Sequence, residues 1–454
     1  MTTLFFDWAL MPDGWRADLR LTLHDGVIGE IATGAPRQPG EAGGGIALPG
    51  LASLHSHSFQ RGMAGLAEIR GPSGDSFWTW RQVMYRFLDV LTADDVEAIA
   101  AFAFMEMLEG GFTSVGEFHY LHHDRAGTPY ANPAEHCERI AAAASATGIG
   151  LTLLPVFYAH GGFGAQPPNE GQRRFVNDPD RFLALVEGAR RAVAPLPGAN
   201  VGIAPHSLRA ATPGELATIV AATPHGPVHI HVAEQTKEVD DCIAWSGTRP
   251  VDWLMDHAQV DDRWCLIHAT HLSAGEVQRI ATSRAVAGLC PLTEANLGDG
   301  IFSGADFMAQ GGRFGVGTDS NIEVTAPGEL KQYEYSQRLA LRGRNIIAPC
   351  VGASTGQHLY GCATAGGAQA LGRRTGQIAT GYDADLVTLD SANPDLAAAD
   401  PQRFLDAYVF VAGKAAIADV YSRGQRVVAG GRHPLREGIT QRYVATLRRI
   451  TAAI

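Results

Sequence analysis

The stretch LASLHSHSFQRG (residues 51–62) begins with leucines typical of a buried strand and then places His55 and His57 two positions apart. Because side chains alternate across a strand, two histidines at i and i+2 point to the same side and can share one partner. A metal ion is the obvious shared partner. The stretch therefore predicts a buried strand whose end faces a metal.

Similar short apolar runs that end in polar residues recur along the chain and alternate with helical stretches. The seven further runs are FTSVGEFHYL, GLTLLPVFYAHGG, VGIAPHSL, PVHIHVAE, WCLIHATHL, AVAGLCPLTEAN and RFGVGTDSN. Eight strand-then-helix units over roughly 320 residues fit an α/β fold of the (β/α)8 TIM barrel type, whose usual length is about 250 residues before insertions. The reactive groups of such a barrel lie at the C-terminal ends of its strands.

The two ends of the chain have a different pattern. The first residues alternate apolar and polar positions around turns such as Asp25-Gly26, which is typical of β-hairpins. The glycine-rich GEAGGG at 40–45 marks the boundary of this region. Short strand patterns return near the C-terminus in TGYDADLVTLD, AYVFVAG and ADVYSRGQRVVAGG. We therefore expect residues 1–48 and 373–454 to form one small β-sandwich domain with a C-terminal helix, beside a barrel of residues 49–372.

Composition excludes several classes of protein. The chain of 454 residues has a net charge of −11 and no basic stripe, which argues against a nucleic-acid partner or a membrane surface. The N-terminal apolar run lacks a basic region before it and is broken by Asp7, so it does not predict a signal peptide. No CxxC pair occurs among the six cysteines, which fit reduced thiols. These features predict a cytoplasmic protein.

The predicted strand ends supply a metal-ligand set. Strand 1 offers His55 and His57, strand 5 offers His231, and strand 8 offers Asp319 in GTDSN. His229 shares a face with His231 but lies deeper in its strand, so we expect it in the core. Three imidazoles and a carboxylate suit one divalent ion with a position left for water. Zinc is the first choice, although iron and manganese are also compatible with these ligands.

Lysine usage indicates the number of metal ions. Barrels that hold two ions often bridge them with a carboxylated lysine near strand 4, which would fall between His57 and His231. The chain has only three lysines, Lys237, Lys331 and Lys414, and none lies in that interval. A lysine-bridged pair is excluded, and a single ion is predicted.

These motifs carry a family resemblance. The His55-x-His57 pair, HVAE and GTDSN resemble the metal-dependent deaminase branch of the amidohydrolase superfamily. The longer matches LHSHSFQRGMAG, APHSLRA, HVAEQTKEV and LIHATHLS are similar to the formimidoylglutamate deiminase family, and the similarity extends over nearly the whole chain. The resemblance implies a hydrolase acting on the C–N bond of an amidine. Its expected reaction converts N-formimidoyl-L-glutamate to N-formyl-L-glutamate and ammonia in histidine degradation.

Three residues are candidates for proton transfer in this reaction. A zinc-type ion makes hydroxide available at neutral pH, and Glu234, three residues beyond His231, can carry a proton to the substrate imine. Asp319 can bind the metal and also accept a proton from the attacking water. His268 steadies the tetrahedral intermediate in the role that the resemblance implies. Glu234 and Asp319 both stay open as the group that protonates the departing ammonia.

A dicarboxylate substrate predicts arginines in the pocket. The planar fork of arginine matches a carboxylate through two parallel hydrogen bonds. Arg209 in APHSLRA, after strand 4, and Arg81 in the aromatic-rich segment FWTWRQVMYR are the two candidates. Similarity to the deiminases assigns Gln60, Tyr120 and His206 to substrate contact as well.

Two alternatives belong to other functional classes. An aminohydrolase of a purine, pyrimidine or nucleoside-type heterocycle would use the same metal and glutamate, but two inward-facing arginines would be hard to explain. An inactive relative serving as an assembly protein predicts a lost ligand or a lost Glu234, and neither is lost. The oligomeric state stays open, although a homodimer is common for a barrel of this size.

Overall fold

The strands fall into two groups, the first made from both chain ends and the second from the middle of the chain. The computed structural model describes residues 2–72 and 74–454. Within them the end strands are β1 (Thr2–Met11), β2 (Gly14–His24), β3 (Val27–Ala32), β4 (Ile46–Pro49), and β14 (Leu386–Leu389), β15 (Ile417–Ser422) and β16 (Gln425–Val428). The middle strands are β5 (Leu51–Ser56), β6 (Phe112–His119), β7 (Gly150–Phe157), β8 (Asn200–Val201), β9 (Ala204–Pro205), β10 (Val228–Val232), β11 (Trp264–His268), β12 (Val286–Leu289) and β13 (Arg313–Val316).

The middle strands form the predicted barrel. Strands β5 to β9 pair in parallel, as do β10 to β13, so every polar-ended run of the sequence is a barrel strand. Strand 4 of the barrel is split into β8 and β9 at Gly202 and Ile203. Parallel bridges join the two halves between Ile203 and Val228 and between Ser56 and Asp319. The barrel therefore closes next to two of the predicted site regions.

Helices surround the barrel and carry the capping signals expected from the sequence. For example, Thr92 caps one helix with an Asp95 capping box, and Gly110 ends it. The described helices are α1 (Phe77–Val90), α2 (Ala93–Glu109), α3 (Glu135–Thr147), α4 (Pro179–Val193), α5 (Pro213–Ala222), α6 (Thr236–Ser246), α7 (Pro250–His257), α8 (Ala274–Ser283), α9 (Pro291–Leu297), α10 (Gly304–Ala309), α11 (Ala326–Leu341), α12 (Thr355–Leu371), α13 (Phe404–Ala407) and α14 (Arg436–Thr451). In the described part of the chain, no helix combines the length and the apolar character needed to cross a bilayer.

The chain ends form one curled sheet. Its strand order is β16-β15-β14-β4-β1-β2-β3, so N-terminal and C-terminal strands pair as predicted. The predicted β domain from both chain ends is confirmed, and its strands pair as one continuous sheet. The sheet bends until Val27 of β3 bridges Asp383, just before β14. Side chains of this sheet form a separate apolar cluster that includes Phe6 and Tyr421.

One predicted strand is helical. AYVFVAG (407–413) continues α13 and then forms a π-helical turn, Tyr408–Ala412. A helical path buries Phe404, Leu405 and Tyr408 on one side while Val411 stays 64% exposed. Short apolar runs fit a strand and a buried helix equally well, so the pattern alone could not separate the two.

Two helices matter for the position of the site. Helix α1 lies in the segment inserted between β5 and β6, and it brings the aromatic-rich sequence to the C-terminal ends of the strands. Helix α14 packs on α2, where the rings of Tyr443 and Phe102 stack at 3.9 Å. The Tyr443 hydroxyl also donates to the carbonyl of Arg61, in the 3₁₀ turn Ser58–Met63 that follows β5. The C-terminal helix thus supports the turn that follows His55 and His57.

Candidate active site

Four predicted ligands meet where β5, β10 and β13 end, and we call them the floor: His55, His57, His231 and Asp319. All four side chains are buried. His231 Nε2 and His57 Nε2 lie 3.1 and 3.2 Å from His55 Nε2. Asp319 Oδ1 lies 3.5 Å from the Nε2 atoms of both His55 and His57. The predicted ligand set therefore comes together in space.

The hydrogen bonds of the floor histidines turn their free nitrogens towards one another. His57 Nδ1 donates to the carbonyl of Phe118 at 2.8 Å, and His231 Nδ1 donates to that of His206 at 3.0 Å. Nε2 therefore carries the lone pair in each neutral ring. Burial lowers the pKa of His55 to about 3, so its ring is also neutral at pH 7. Lone pairs that converge at these distances repel unless a cation lies between them.

The spacing of the floor atoms fits a zinc-type ion. A tetrahedron with corners about 2.1 Å from its centre has edges of about 3.4 Å, and zinc takes imidazole and carboxylate ligands at such bond lengths. Four of the six separations among the floor atoms, at 3.1 to 3.5 Å, match these edges. The donor types and their spacing thus suit one divalent ion.

His268, at the end of β11, lies among three carboxylates. Its Nε2 is 3.8 Å from Asp319 Oδ2 and 3.9 Å from Glu234 Oε1, while its Nδ1 is 3.2 Å from Glu294 Oε1. Burial by itself lowers the pKa of His268, but Glu234, Glu294 and Asp319 together raise it to about 10. The three carboxylates therefore favour the protonated form of the ring. Glu294, which also accepts from the Cys290 amide at 2.8 Å, was not predicted from the sequence.

Glu234 follows β10 in a tight turn. Ala233 has a φ of +54°, and the Glu238 carboxylate accepts from the amides of Ala233 and Glu234 at 3.2 and 3.3 Å. Burial raises the pKa of Glu234 to about 7, although His268 and Arg209 oppose the rise. A carboxyl group with such a pKa can both accept and release a proton near neutral pH.

A pocket opens above the floor, and nine predicted residues besides Asp319 line it. They are His57, Gln60, Arg81, Tyr120, His206, Arg209, His231, Glu234 and His268. His55 is fully buried and does not line the pocket. Gln60 donates to the Tyr120 hydroxyl at 3.1 Å, which joins two of the predicted substrate contacts. The structure thus places all the predicted site residues together, while their individual roles stay predictions.

Arg81 and Arg209 form one side of the pocket, which we call the cationic wall. Arg81 Nε donates to the Tyr85 hydroxyl at 2.6 Å, and its Cζ lies 5.5 Å from the Trp78 ring centre. Arg209 Cζ lies 6.0 Å from the same ring, and its buried Nε has no hydrogen-bond partner among the described residues. Within 2–72 and 74–454, neither guanidinium lies within 4.0 Å of a carboxylate. Two cations thus face the pocket with no carboxylate of the described residues within ion-pair distance, although Glu238 and Glu234 lie close enough to raise the pKa of Arg209.

Sequence reasoning missed several lining residues: Phe77, Trp80, Met84, Tyr85, Tyr158, Phe175 and Leu297. Usable signals existed for two of them. Tyr85 lies four residues after Arg81, which places both on one face of a helix. Tyr158 directly follows β7 as Tyr120 directly follows β6, so both occupy the same position at a strand end.

The core assignment of His229 is confirmed. Its side chain is fully buried, and its Nε2 donates to the carbonyl of Ala370 at 2.7 Å, near the end of α12. Two histidines near other strand ends also donate to backbone carbonyls. His122 contacts the carbonyl of Val156 at 2.8 Å. His123 contacts that of Val176 at 2.7 Å. These contacts give the three rings structural roles.

Two family models together match residues 1–427. The model described as Amidohydrolase family matches residues 46–427. The model described as Formimidoylglutamate deiminase HutF, N-terminal domain, matches residues 1–45. The second match covers the first three strands of the curled sheet, so the similarity extends beyond the catalytic barrel.

Comparison with individual proteins agrees with these matches. A formimidoylglutamate deiminase from Pseudomonas aeruginosa is 50% identical over 451 residues, covering 98% of this chain and 99% of its own. An 8-oxoguanine deaminase from the same organism is 28% identical over 381 residues, covering 81% of this chain and 80% of its own.

Solved structures extend the comparison to three dimensions. The crystal structure of an amidohydrolase from Brucella melitensis has a TM-score of 0.95 and 51% identity, covering 99% of this chain and 100% of that one. An adenosine deaminase from Xanthomonas campestris, solved with bound zinc, has a TM-score of 0.81 and 19% identity. The match covers 99% of this chain and 98% of that one. That second likeness concerns the fold alone. With two matching family models and a near full-length relative at 50% identity, the chain belongs to the amidohydrolase family and, within it, to the formimidoylglutamate deiminases.

Proposed function

We propose that the protein hydrolyses N-formimidoyl-L-glutamate to N-formyl-L-glutamate and ammonia in histidine degradation. One observation carries this proposal from the structure: two guanidiniums without a carboxylate partner, among the described residues, share a pocket with a floor of metal-ligand type. A buried or half-buried cation normally has a counter-charge. A substrate with two carboxylates supplies it, and the name of the 50% identical relative agrees with that substrate.

The proposed pose follows from the charges at the two ends of the pocket. The carboxylates bind at Arg81 and Arg209, where each guanidinium fork offers parallel N–H donors. The planar amidine then extends towards the floor, between Glu234 and His268. Gln60, Tyr120 and His206 line the space between and offer hydrogen-bonding groups along the substrate chain.

The floor residues would hold the divalent ion whose chemistry the reaction needs. A divalent ion of the zinc type, when bound by His55, His57, His231 and Asp319, lowers the pKa of water to about 7 and makes a hydroxide nucleophile available. Phe118 and His206 keep the ligand rings oriented through their carbonyls.

Glu234 moves the protons in the proposed mechanism. It accepts a proton from the attacking water and delivers it to the imine nitrogen, which makes the amidine carbon more electrophilic. The water oxygen adds to the amidine carbon as a hydroxyl group, and the former imine nitrogen becomes an amino group. Asp319 takes the hydroxyl proton, a carbonyl forms, and the C–N bond to that amino group breaks as ammonia leaves. His268, held in place by Glu294, donates a hydrogen bond to the oxygen that develops negative charge. Glu234 or Asp319 supplies the proton with which the amino group leaves as ammonia.

An ammonia-release assay on purified protein tests the function. The substrates are N-formimidoyl-L-glutamate, guanine, 8-oxoguanine, cytosine and adenosine, at matched concentrations. We expect turnover of the amidine dicarboxylate and none of the rings. Activity on a ring substrate alone would replace the proposal with the heterocycle aminohydrolase, which shares the floor and Glu234.

Three finer assignments belong to the same proposal. Zinc is the expected metal, and elemental analysis of the purified protein should give close to one equivalent per chain. A homodimer is the expected assembly, which sedimentation at several concentrations tests. The expected location is the cytoplasm, which cell fractionation tests.

A further inference from the structure

A short turn after β7 contacts all three tyrosines of the pocket. We call residues 169–175 the support turn; its first part is the 3₁₀ helix Glu170–Gln172. The ring of Phe175 lies 4.9, 5.7 and 6.5 Å from the rings of Tyr120, Tyr158 and Tyr85. No predicted catalytic or substrate-binding residue lies in this turn.

Gly171 connects the turn to the cationic wall. A Cβ placed on Gly171 would lie 2.7 Å from Cδ2 and 2.8 Å from Cγ of Tyr85, so the glycine lets the backbone lie directly against the ring. The hydroxyl of Tyr85 accepts from Arg81 Nε at 2.6 Å, and Arg81 Cζ lies 5.3 Å from the centre of the same ring. The position of Tyr85 therefore sets the position of the Arg81 guanidinium, and Gly171 limits where Tyr85 can lie.

Gln172 connects the turn to a second tyrosine. Its side chain is fully buried, and its Nε2 donates to the Tyr158 hydroxyl at 2.6 Å. Its Oε1 accepts from the Asn169 amide at 2.8 Å, so the same side chain also closes the turn. The amide of Phe175 donates to the carbonyl of Gln172 at 2.9 Å. One glutamine thus fixes both the turn and a pocket hydroxyl.

Two arginines of the turn bind the far end of α1. Arg174, which is 1% exposed, donates from its guanidinium to the carbonyl of Leu88 at 2.5 Å. Arg173 pairs with Asp89 at 2.7 Å. Because α1 carries Arg81, the support turn holds this helix at its C-terminal end as well as at Tyr85.

We propose that the support turn is a specificity-determining element that positions Arg81 for the carboxylate of the substrate, with Gly171 as the point of contact. This inference rests on the proposed function, since it assigns the supported arginine to substrate binding. The proposal assigns the support turn no role in the four floor residues. Changes in it should therefore alter substrate affinity and leave the chemical step intact.

Two substitutions test the contact. Gly171→Ala adds a methyl group outside the pocket that must displace the Tyr85 ring, and we expect KM for N-formimidoyl-L-glutamate to rise about tenfold. Tyr85→Phe keeps the ring but removes the acceptor of Arg81 Nε, and we expect a rise of about fivefold. In both variants kcat should stay within about twofold and metal content should not change. Gly214→Ala is the matched control, because a Cβ at Gly214 meets no atom of the described residues within 4 Å.

A double-mutant cycle separates positioning from general damage. In an Arg81→Met background, Gly171→Ala should raise KM no further, because the group that it displaces is already gone. A further rise in KM of about tenfold in the Arg81→Met background would overturn the proposal. A fall in kcat that matches the rise in KM would also overturn it. If Gly171→Ala does not fold, Tyr85→Phe with the same background decides the outcome, and an unchanged KM overturns it.

Binding of glutarate distinguishes a failure of this inference from a failure of the proposed function. Glutarate has two carboxylates and no amidine, and isothermal titration calorimetry measures its binding. If the wild type binds glutarate but releases no ammonia from N-formimidoyl-L-glutamate, the proposed function fails. A weaker glutarate affinity in Gly171→Ala then still supports the proposed role of the support turn. An unchanged glutarate affinity overturns that role. A wild type that neither turns over the amidine nor binds glutarate contradicts both.

Discussion

The floor and the cationic wall lie in one pocket, but they are built in opposite ways. Floor residues stand at barrel strand ends, and two of their rings are fixed by backbone carbonyls from neighbouring strands. Wall residues come from outside the strands: Arg81 from the inserted helix α1, and Arg209 from the turn after β9. The floor therefore depends on the barrel, whereas the wall depends on segments added to it.

This difference suggests how the two halves divide the work. An imidazole and carboxylate floor serves hydrolysis of many C–N bonds, because nothing in it selects for the rest of the substrate. In the proposed function, the wall selects for negative charge at a distance from the reacting carbon. Changes in the floor should abolish turnover of every substrate, while changes in the wall should matter only for carboxylate-bearing ones.

The largest effect is expected from His55→Ala. Removal of the central imidazole of the floor should release most of the metal and reduce turnover to background for any substrate, because His55 Nε2 lies next to two other ligand atoms. Elemental analysis and the ammonia assay check this together. A variant that keeps one equivalent of metal and normal turnover would break the assignment of the floor.

Glu234→Gln should be the next most severe change. It keeps the shape of the side chain but cannot shuttle a proton, so kcat should fall by about a hundredfold or more with metal content intact. The loss should be equal for N-formimidoyl-L-glutamate and for an analogue without one carboxylate. Steady-state kinetics on both compounds measure it, and near-normal turnover would remove Glu234 from the mechanism.

Arg209→Met should lower kcat/KM for the dicarboxylate at least tenfold. A charged hydrogen bond to a carboxylate contributes about 1.5 to 3 kcal/mol, and the buried Nε of Arg209 has no other partner among the described residues. Arg209→Lys should also be impaired, since it keeps the charge but loses the fork. Arg190→Met, on the exposed surface of α4, is the matched control.

The loss of kcat/KM caused by Arg209→Met should be smaller for an analogue that lacks the carboxylate bound by this arginine. Kinetics on the substrate and the analogue measure that difference directly. If Arg209→Met and Arg81→Met each leave turnover of N-formimidoyl-L-glutamate unchanged, the division between floor and wall fails. The heterocycle aminohydrolase then becomes the better account.

Lys237→Met should have the smallest effect and would show where the wall ends. Lys237 Nζ lies 5.9 Å from the Trp78 ring, but it is exposed and already pairs with Asp241 at 2.6 Å. Exposed pairs contribute little, so we expect less than about a threefold change in kcat/KM at physiological ionic strength. A tenfold loss would instead extend the wall to α6.

The floor was predictable from the sequence because it obeys a simple rule of position. In a barrel, the residues that end apolar runs meet at one face, so His55, His57, His231 and Asp319 could be grouped without knowing any distance. The curled sheet was harder. Its strands were recognisable, but whether they form one sheet or two depends on contacts such as that between Val27 and Asp383, which no local pattern encodes.

The supports of the wall were not predictable for the same reason. Arg81 and Arg209 carry charge and could be chosen on chemistry, but Tyr85 gains its role only when Gly171 packs against it. In the sequence, Gln172 likewise has nothing that distinguishes it from an ordinary loop residue, and only the structure reveals its contact with Tyr158. Contacts between segments far apart in the chain determine these roles, and a single sequence does not reveal them.

The pairing of β4 with β14 also has a consequence for synthesis on the ribosome. Pro49 pairs with Leu386, so one edge of β4 waits for a partner that emerges roughly 340 residues later, or about 20 to 70 s at ordinary elongation rates. During that time β1 to β4 present an open strand edge, a site at which nascent chains associate wrongly or recruit chaperones. A nascent chain arrested before β14 should therefore be cleaved by protease near Ile46–Pro49, and the released full-length protein should resist cleavage there.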